Sequence, residues 1–220
     1  MGEVGGMGTN EESRFAASHA LRMFPTFVWQ AELEPAIHRR INRAITAKLD
    51  EIRRPAPALD PGQAWQSAHD LHTLDEFREL VSCVDEAAAT VLDYLKIGGD
   101  AIEITACWAN VSAPGAAHRA HSHPNNFLSG VYYVQTHAGA DTINFHDPRP
   151  QTAIIRPPVT GLTAENADQV VVAVKDGTLL LFPAWLQHSV DANRSDRERT
   201  SVSFNIMFTS YTERMSKPLW

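Results

Sequence analysis

Ten histidines occur in the 220 residues, and four of them fall between positions 118 and 137. The dense run is His118-Arg-Ala-His121-Ser-His123-Pro-Asn-Asn. Side chains two positions apart in an extended segment point the same way, so His121 and His123 can reach one ion. Pro124 fixes the backbone directly after them. A further imidazole, His188, follows the apolar run Leu179-Leu-Leu-Phe-Pro and sits at the entry to another strand. Two ligands from one segment and a third from a distant strand is the spacing of a facial triad, which leaves adjacent positions of an octahedral ion open. Imidazole suits iron, copper, zinc and nickel alike, so spacing alone does not choose the ion. No cysteine stands among these histidines, which argues against a closed structural zinc site. His118 and His146 flank the trio as residues beside the site or at the surface. His19, His38, His69, His72 and His137 read as ordinary core or surface histidines.

The elements that must position this trio divide near Gly98-Gly99. Before it, residues 23–33 suggest an N-terminal strand. Ile37, Ile41, Ile45, Leu49 and Ile52 recur at helical spacing, ended by Pro55 and Pro57. A connector covers 54–72, and a second helix over 74–97 is closed by the paired glycines. After it, strands are expected over 101–112, 129–136 and 141–146. Residues 147–168 read as a long functional loop over the site, flanked by Arg149 and Arg156. A hairpin of 169–174 and 178–182 turns on Lys175-Asp176-Gly177, and Arg199–Phe208 is the last strand. Short strands without intervening helices imply an antiparallel sandwich or barrel, with the helices packed outside. The last strand carries Thr200, Val202, Phe204, Ile206 and Phe208 on one face. The other face lines up Arg199, Ser201, Ser203 and Asn205, as a cavity wall would.

Composition sets bounds. Nineteen basic against 26 acidic residues give a net charge of −7, so no basic footprint for nucleic acid exists. No apolar run approaches the length of a spanning helix. The two cysteines, Cys83 and Cys107, form no disulfide framework and suggest reduced thiols in a cytoplasmic protein. The expected organisation is a flexible tail over 1–20 and one domain over 21–220, with a helical part at 34–97 and a barrel at 101–210.

Several motifs resemble the 2-oxoglutarate- and iron(II)-dependent oxygenases, and more narrowly a group of uncharacterised bacterial and phage members. They are Trp108-Ala-Asn110 with Gly115, and His121-x-His123-Pro-x-x-x-Leu128-Ser-Gly-Val-Tyr-Tyr-Val. Phe145-x-Asp147-Pro-Arg149 follows, then Gly177-x-Leu-x-Leu-Phe-Pro-x-Trp-x-x-His188, and last Arg199-x-Ser-x-Ser-Phe-Asn205. The resemblance runs from about Phe24 to Phe208. It implies a mainly β fold: a double-stranded β-helix, a jelly-roll or cupin-like barrel with N-terminal helices outside. It also implies that His121 and His188 hold iron(II), and that Arg199 with Ser201 binds the distal carboxylate of 2-oxoglutarate. A guanidinium fork grips a carboxylate bidentately, and a hydroxyl two residues on shares its strand face.

One position departs from the family pattern, because His123 stands where a carboxylate is usual. Three readings stand: His123 as third ligand, Asp147 supplying the carboxylate, or two histidines plus water. Simple i, i+2 geometry favours His123. Asn110 shares a face with Trp108 and is a candidate for the co-substrate or the substrate. Tyr132 and Tyr133 point to opposite faces, so one can hydrogen-bond the co-substrate while the other packs; Tyr133 is named as the candidate, and which of the two faces the site stays open. Asn125, Asn126 and Asn205 could line the cavity. The expected activity is a dioxygenase that hydroxylates a small molecule or amino-acid side chain, releasing succinate and CO2. Alternatives are a cupin-like three-histidine dioxygenase independent of 2-oxoglutarate, or a catalytically silent ligand-binding barrel. Expected partners are dioxygen and a small substrate, with neither nucleic acid nor membrane. The apolar face of 200–208 leaves a homodimer open.

Overall fold

The computed structural model describes residues 14–149, 154–155, 157–163 and 165–214. Most of the expected tail, part of the long loop and Arg156 therefore lie outside the described residues. Helix α1 spans Pro35–Arg53 and buries Ile41, Ile45 and Leu49 along one stripe. Two short 3-10 turns, Leu71–Thr73 and Asp75–Phe77, lead into α2 at Arg78–Leu95. The paired glycines do not end α2. Lys96 takes the left-handed position at φ 56°, and the Ile97 and Lys96 amides donate to the carbonyls of Leu92 and Asp93.

Ten strands among the described residues follow two patterns. β1 (Trp29–Glu32), β2 (Ala64–Gln66), β3 (Ile102–Ser112), β5 (Leu128–Gln135), β8 (Thr178–Pro183) and β10 (Arg199–Phe208) form one sheet in the order β1-β8-β5-β10-β3-β2. β4 (His118–His121), β6 (Thr142–His146), β7 (Gln169–Ala173) and β9 (His188–Val190) form the second in the order β4-β9-β6-β7. Expected strand 23–33 shrinks to Trp29–Glu32, the stretch that pairs with β8. Phe24 is exposed and takes φ 55°, which no strand can hold.

The expected hairpin around Lys175-Asp176-Gly177 is not one. β7 pairs with β6 in the second sheet, whereas β8 pairs with β1 and β5 in the first. The turn reverses the chain and hands it from one sheet to the other. β5 and β6 are divided in the same way, and this alternation makes two facing sheets: the double-stranded β-helix.

Two cores result. One lies between the helices and the outer face of the larger sheet, joining Ile41, Ile45, Leu80, Val84 and Val91 to Tyr132, Val202, Phe204 and Ile206. The other lies between the sheets and includes Val131, Tyr133, Ile143, Phe145, Leu180 and Phe182. The apolar face of β10 is thus covered by the chain's own helices, which removes the reason for seeking a second subunit there. A Cβ on Gly130 would stand 2.3 Å from the Phe204 ring and 2.5 Å from the Leu180 carbonyl, so only glycine lets these layers close. None of the helices among the described residues is long and apolar enough to cross a membrane.

Candidate metal centre and co-substrate pocket

His121 and His188 face each other as direct partners across β4 and β9. His123 lies just beyond the end of β4, anchored by its amide, which donates to the Ala184 carbonyl at 2.8 Å. The potential ligand atoms of the three imidazoles all lie within 4.8 Å of one another. The His123 and His188 Nε2 atoms are 3.4 Å apart. Nδ1 of His121 donates to the Arg119 carbonyl at 2.8 Å, and Nδ1 of His188 to the Leu186 carbonyl at 3.0 Å. Each bond fixes the tautomer and leaves Nε2 as a free lone pair, the arrangement that orients metal-bound histidines.

Burial pushes His188 down to about 3, despite the opposing Leu186 bond, and the neighbouring histidines add to the fall. His123 is lowered to about 4, chiefly by burial and then by His121. Both imidazoles are therefore neutral bases at pH 7. Three imidazoles whose potential ligand atoms converge fit a divalent transition metal and do not fit calcium or magnesium. Asp147 stands outside this group: its carboxylate accepts from Arg149, which also holds it below the usual carboxylate range.

The cavity above the trio is bounded by β10, β3 and β5. Arg199, Ser201, Ser203, Trp108, Asn110, Val131 and Tyr133 all line it, with His118 on the opposite wall. Arg199 is only 3 % exposed, and its Nε has no hydrogen-bond partner. Among the described residues no carboxylate pairs with it. A buried guanidinium without a carboxylate partner is costly, and an anion placed beside it would offset that cost. Ser201 and Tyr133 are cross-strand partners beside it. Burial holds the Tyr133 hydroxyl protonated, so it serves as a neutral donor or acceptor.

The two tyrosines separate cleanly. Tyr132 turns outward and its hydroxyl donates to Asn42 Oδ1 of α1 at 2.6 Å, whereas Tyr133 faces the cavity. Asn125, Asn126 and Asn205 are not among the residues that line it. Asn205 instead accepts from Ser129 at 2.7 Å, and Asn126 donates to the Pro124 carbonyl. His146 bonds to Ser189 rather than joining the trio. His69 is not an idle surface group, since its ring stacks on Trp108 at 4.9 Å. Gln66 on β2 also lines the cavity, although nothing in the sequence marked the connector as structured.

Residues 106–205 match the family model described as "Putative 2OG-Fe(II) oxygenase". No curated protein matches the chain by sequence. Solved structures do match by shape. The 2-oxoglutarate- and nickel-bound HygX from Streptomyces hygroscopicus has a TM-score of 0.59 at 11% identity, covering 84% of this chain and 83% of that one. A prolyl-4-hydroxylase from Pseudomonas putida gives 0.56 at 15% identity, covering 83% and 92%. The non-haem α-ketoglutarate-dependent epimerase SnoN of nogalamycin biosynthesis gives 0.58 at 14% identity, covering 83% and 76%. At such identities the likeness carries the fold alone, and the family match spans the segment that holds the histidine trio and Arg199. Residues 106–205, the segment with the histidine trio and Arg199, are similar to the 2-oxoglutarate- and iron(II)-dependent oxygenase family.

Proposed function

We propose that the protein is an iron(II)- and 2-oxoglutarate-dependent dioxygenase in which His121, His123 and His188 hold the metal. Arg199 and Ser201 bind the distal carboxylate of 2-oxoglutarate, with Tyr133 beside it. The observation that carries this reading is the unpaired buried guanidinium of Arg199 in the same cavity as three converging imidazole lone pairs. When bound, iron(II) with 2-oxoglutarate and dioxygen supplies oxidising power for hydroxylation, and 2-oxoglutarate leaves as succinate and CO2. The chain's own part is positioning. Arg199 fixes one end of the co-substrate and thereby sets which oxygens of its other end face the histidines. Val131, Ile143 and Phe182 supply an apolar wall that keeps water from the reacting centre. The substrate is a small molecule or an amino-acid-type side chain.

Anaerobic reconstitution with iron(II) followed by 2-oxoglutarate should produce a visible metal-to-ligand charge-transfer band. Iron retained without that band would sink the proposal in favour of a three-histidine enzyme that does not use 2-oxoglutarate, a reading that His123 motivates. Succinate release on admitting oxygen then separates an enzyme from a binding barrel. The two free thiols, Cys83 and buried Cys107, support a cytoplasmic location, which cell fractionation would test.

A further inference from the structure

The cavity has a side that neither the metal nor the co-substrate accounts for. β2 is short, Ala64–Gln66, and it comes from the connector, outside the segment that the family model matches. It is nevertheless held firmly against β3. The Ser67 amide donates to the Ala109 carbonyl at 3.1 Å, and the Ala109 amide donates back to Ser67 Oγ at 2.9 Å. The Ala113 amide donates to the Gln63 carbonyl at 3.0 Å, and the Cys107 amide to the His69 carbonyl at 2.8 Å. A strand fastened at both ends has a fixed register, so Gln66 stands opposite Asn110.

From there a hydrogen-bonded row crosses the cavity wall. Gln66 Nε2 donates to Asn110 Oδ1 at 3.0 Å, and Asn110 Nδ2 donates to Ser203 Oγ at 3.0 Å. All three residues line the cavity. Counting valences shows what the row still offers. Asn110 has a second N–H, Ser203 has its O–H, and Gln66 keeps one N–H and the whole of Oε1. Asn110 is buried, so its orientation is locked from both sides, whereas Gln66 lies at the open end. Every group in the row is uncharged. The remaining polar residues lining the cavity are Arg199, Ser201, Tyr133 and the four histidines, and no carboxylate lines it among the described residues.

We infer that Gln66 is a specificity-determining residue and that the Gln66–Asn110–Ser203 row receives an uncharged carboxamide of the substrate. The inference rests on the oxygenase reading above. A carboxylate placed on the row can accept from the Asn110, Ser203 and Gln66 donors but offers no hydrogen to Gln66 Oε1. An ammonium would meet donors on Asn110 and Ser203 and the Arg199 guanidinium behind them. A carboxamide brings its carbonyl to those donors and its N–H to Gln66 Oε1, so that the donors and the acceptor of the row are used together. Sites built on paired polar groups discriminate because the wrong ligand strands a donor or an acceptor.

The test uses the whole chain loaded with zinc and saturated with 2-oxoglutarate, so that nothing turns over. Calorimetry then compares N-acetyl-asparagine with N-acetyl-aspartate, and N-acetyl-glutamine with N-acetyl-glutamate. The amide of at least one pair should bind about five- to tenfold more tightly than its acid, the scale of one net hydrogen bond. Gln66→Leu, which keeps the side chain's bulk at an exposed position, should bring that ratio to within about twofold. The affinity for 2-oxoglutarate should stay the same in the variant. An amide preference that survives in Gln66→Leu, or wild-type protein that binds neither amide, would overturn the inference. Failure of wild-type protein to bind 2-oxoglutarate would instead strike the oxygenase reading itself.

Discussion

Arg199 illustrates how much one side chain can decide. Its charge is buried, and burial alone works to lower its pKa, yet no carboxylate among the described residues balances it. Arg199→Ala should weaken 2-oxoglutarate binding by about 30-fold or more, since truncating one partner of a buried charge pair costs roughly 2–5 kcal/mol. Anaerobic titration of the charge-transfer band measures this, and an affinity within threefold of wild type would move the co-substrate elsewhere. The third ligand can be tested in the same assay. His123→Ala should lower iron affinity at least tenfold, His123→Asp should restore most of it, and Asp147→Ala should leave it unchanged, because Asp147 is engaged by Arg149. The histidines also carry a pH signature in metal-free protein. His123 and His188 sit at about 4 and about 3 when folded, against 6.5 as free groups. The unfolded chain therefore binds more protons between these values, and stability rises with pH there. The contribution is complete above about 6.5 and is lost as pH falls toward 4 and 3. Denaturant midpoints measured from pH 7 to pH 5, above the ordinary carboxylate range, should fall steadily, and a flat profile would contradict the buried neutral imidazoles.

At the scale of elements, the layers around β5 set the tolerances. Gly130→Ala should cost on the order of 1–3 kcal/mol, because the new methyl overlaps the Phe204 ring and a backbone carbonyl that cannot yield freely. A thermal midpoint unchanged from wild type would show that the helix-side core repacks more readily than its contacts suggest. The strand that forms the cavity wall was legible in sequence because alternation and residue type both marked it, as in Arg199, Ser201 and Ser203 against Val202, Phe204 and Ile206. Parity told that Tyr132 and Tyr133 must part. It could not tell which way each went, since that depended on Asn42 lying on α1, 90 positions distant. The Lys175-Asp176-Gly177 turn was readable as a reversal, but a turn signal says nothing about which sheet receives the next strand. β2 was missed because three residues carry no periodicity, and what holds them is backbone pairing to β3. The end of α2 was misassigned to glycines because Lys96 accepts a left-handed conformation that glycine usually supplies.

For the molecule as a whole, ligands that bind only the folded cavity should stabilise it by mass action. Iron(II) or zinc together with 2-oxoglutarate, each at about 100 times its dissociation constant, adds roughly 2.7 kcal/mol per independent site. Thermal melts should shift upward in steps as metal and then co-substrate are added, and a chelator should reverse both steps. A metal that shifts the melt in His121→Ala as strongly as in wild type would place it outside the trio.

The crossing of the chain between the two sheets has a consequence in time as well as in space. His123 and His188 are separated by 65 positions, and the sheet that joins them closes only when β4 finds β9. No local hairpin can assemble this pair early. Closing such long loops before any contact rewards them is what slows folding in β topologies. The nascent chain therefore passes through a period in which it has helices and partial sheets but has not yet brought these imidazoles together. On the proposed ligand set, metal capture is a late event on the folding path, and iron would be delivered to a finished barrel rather than to a growing chain.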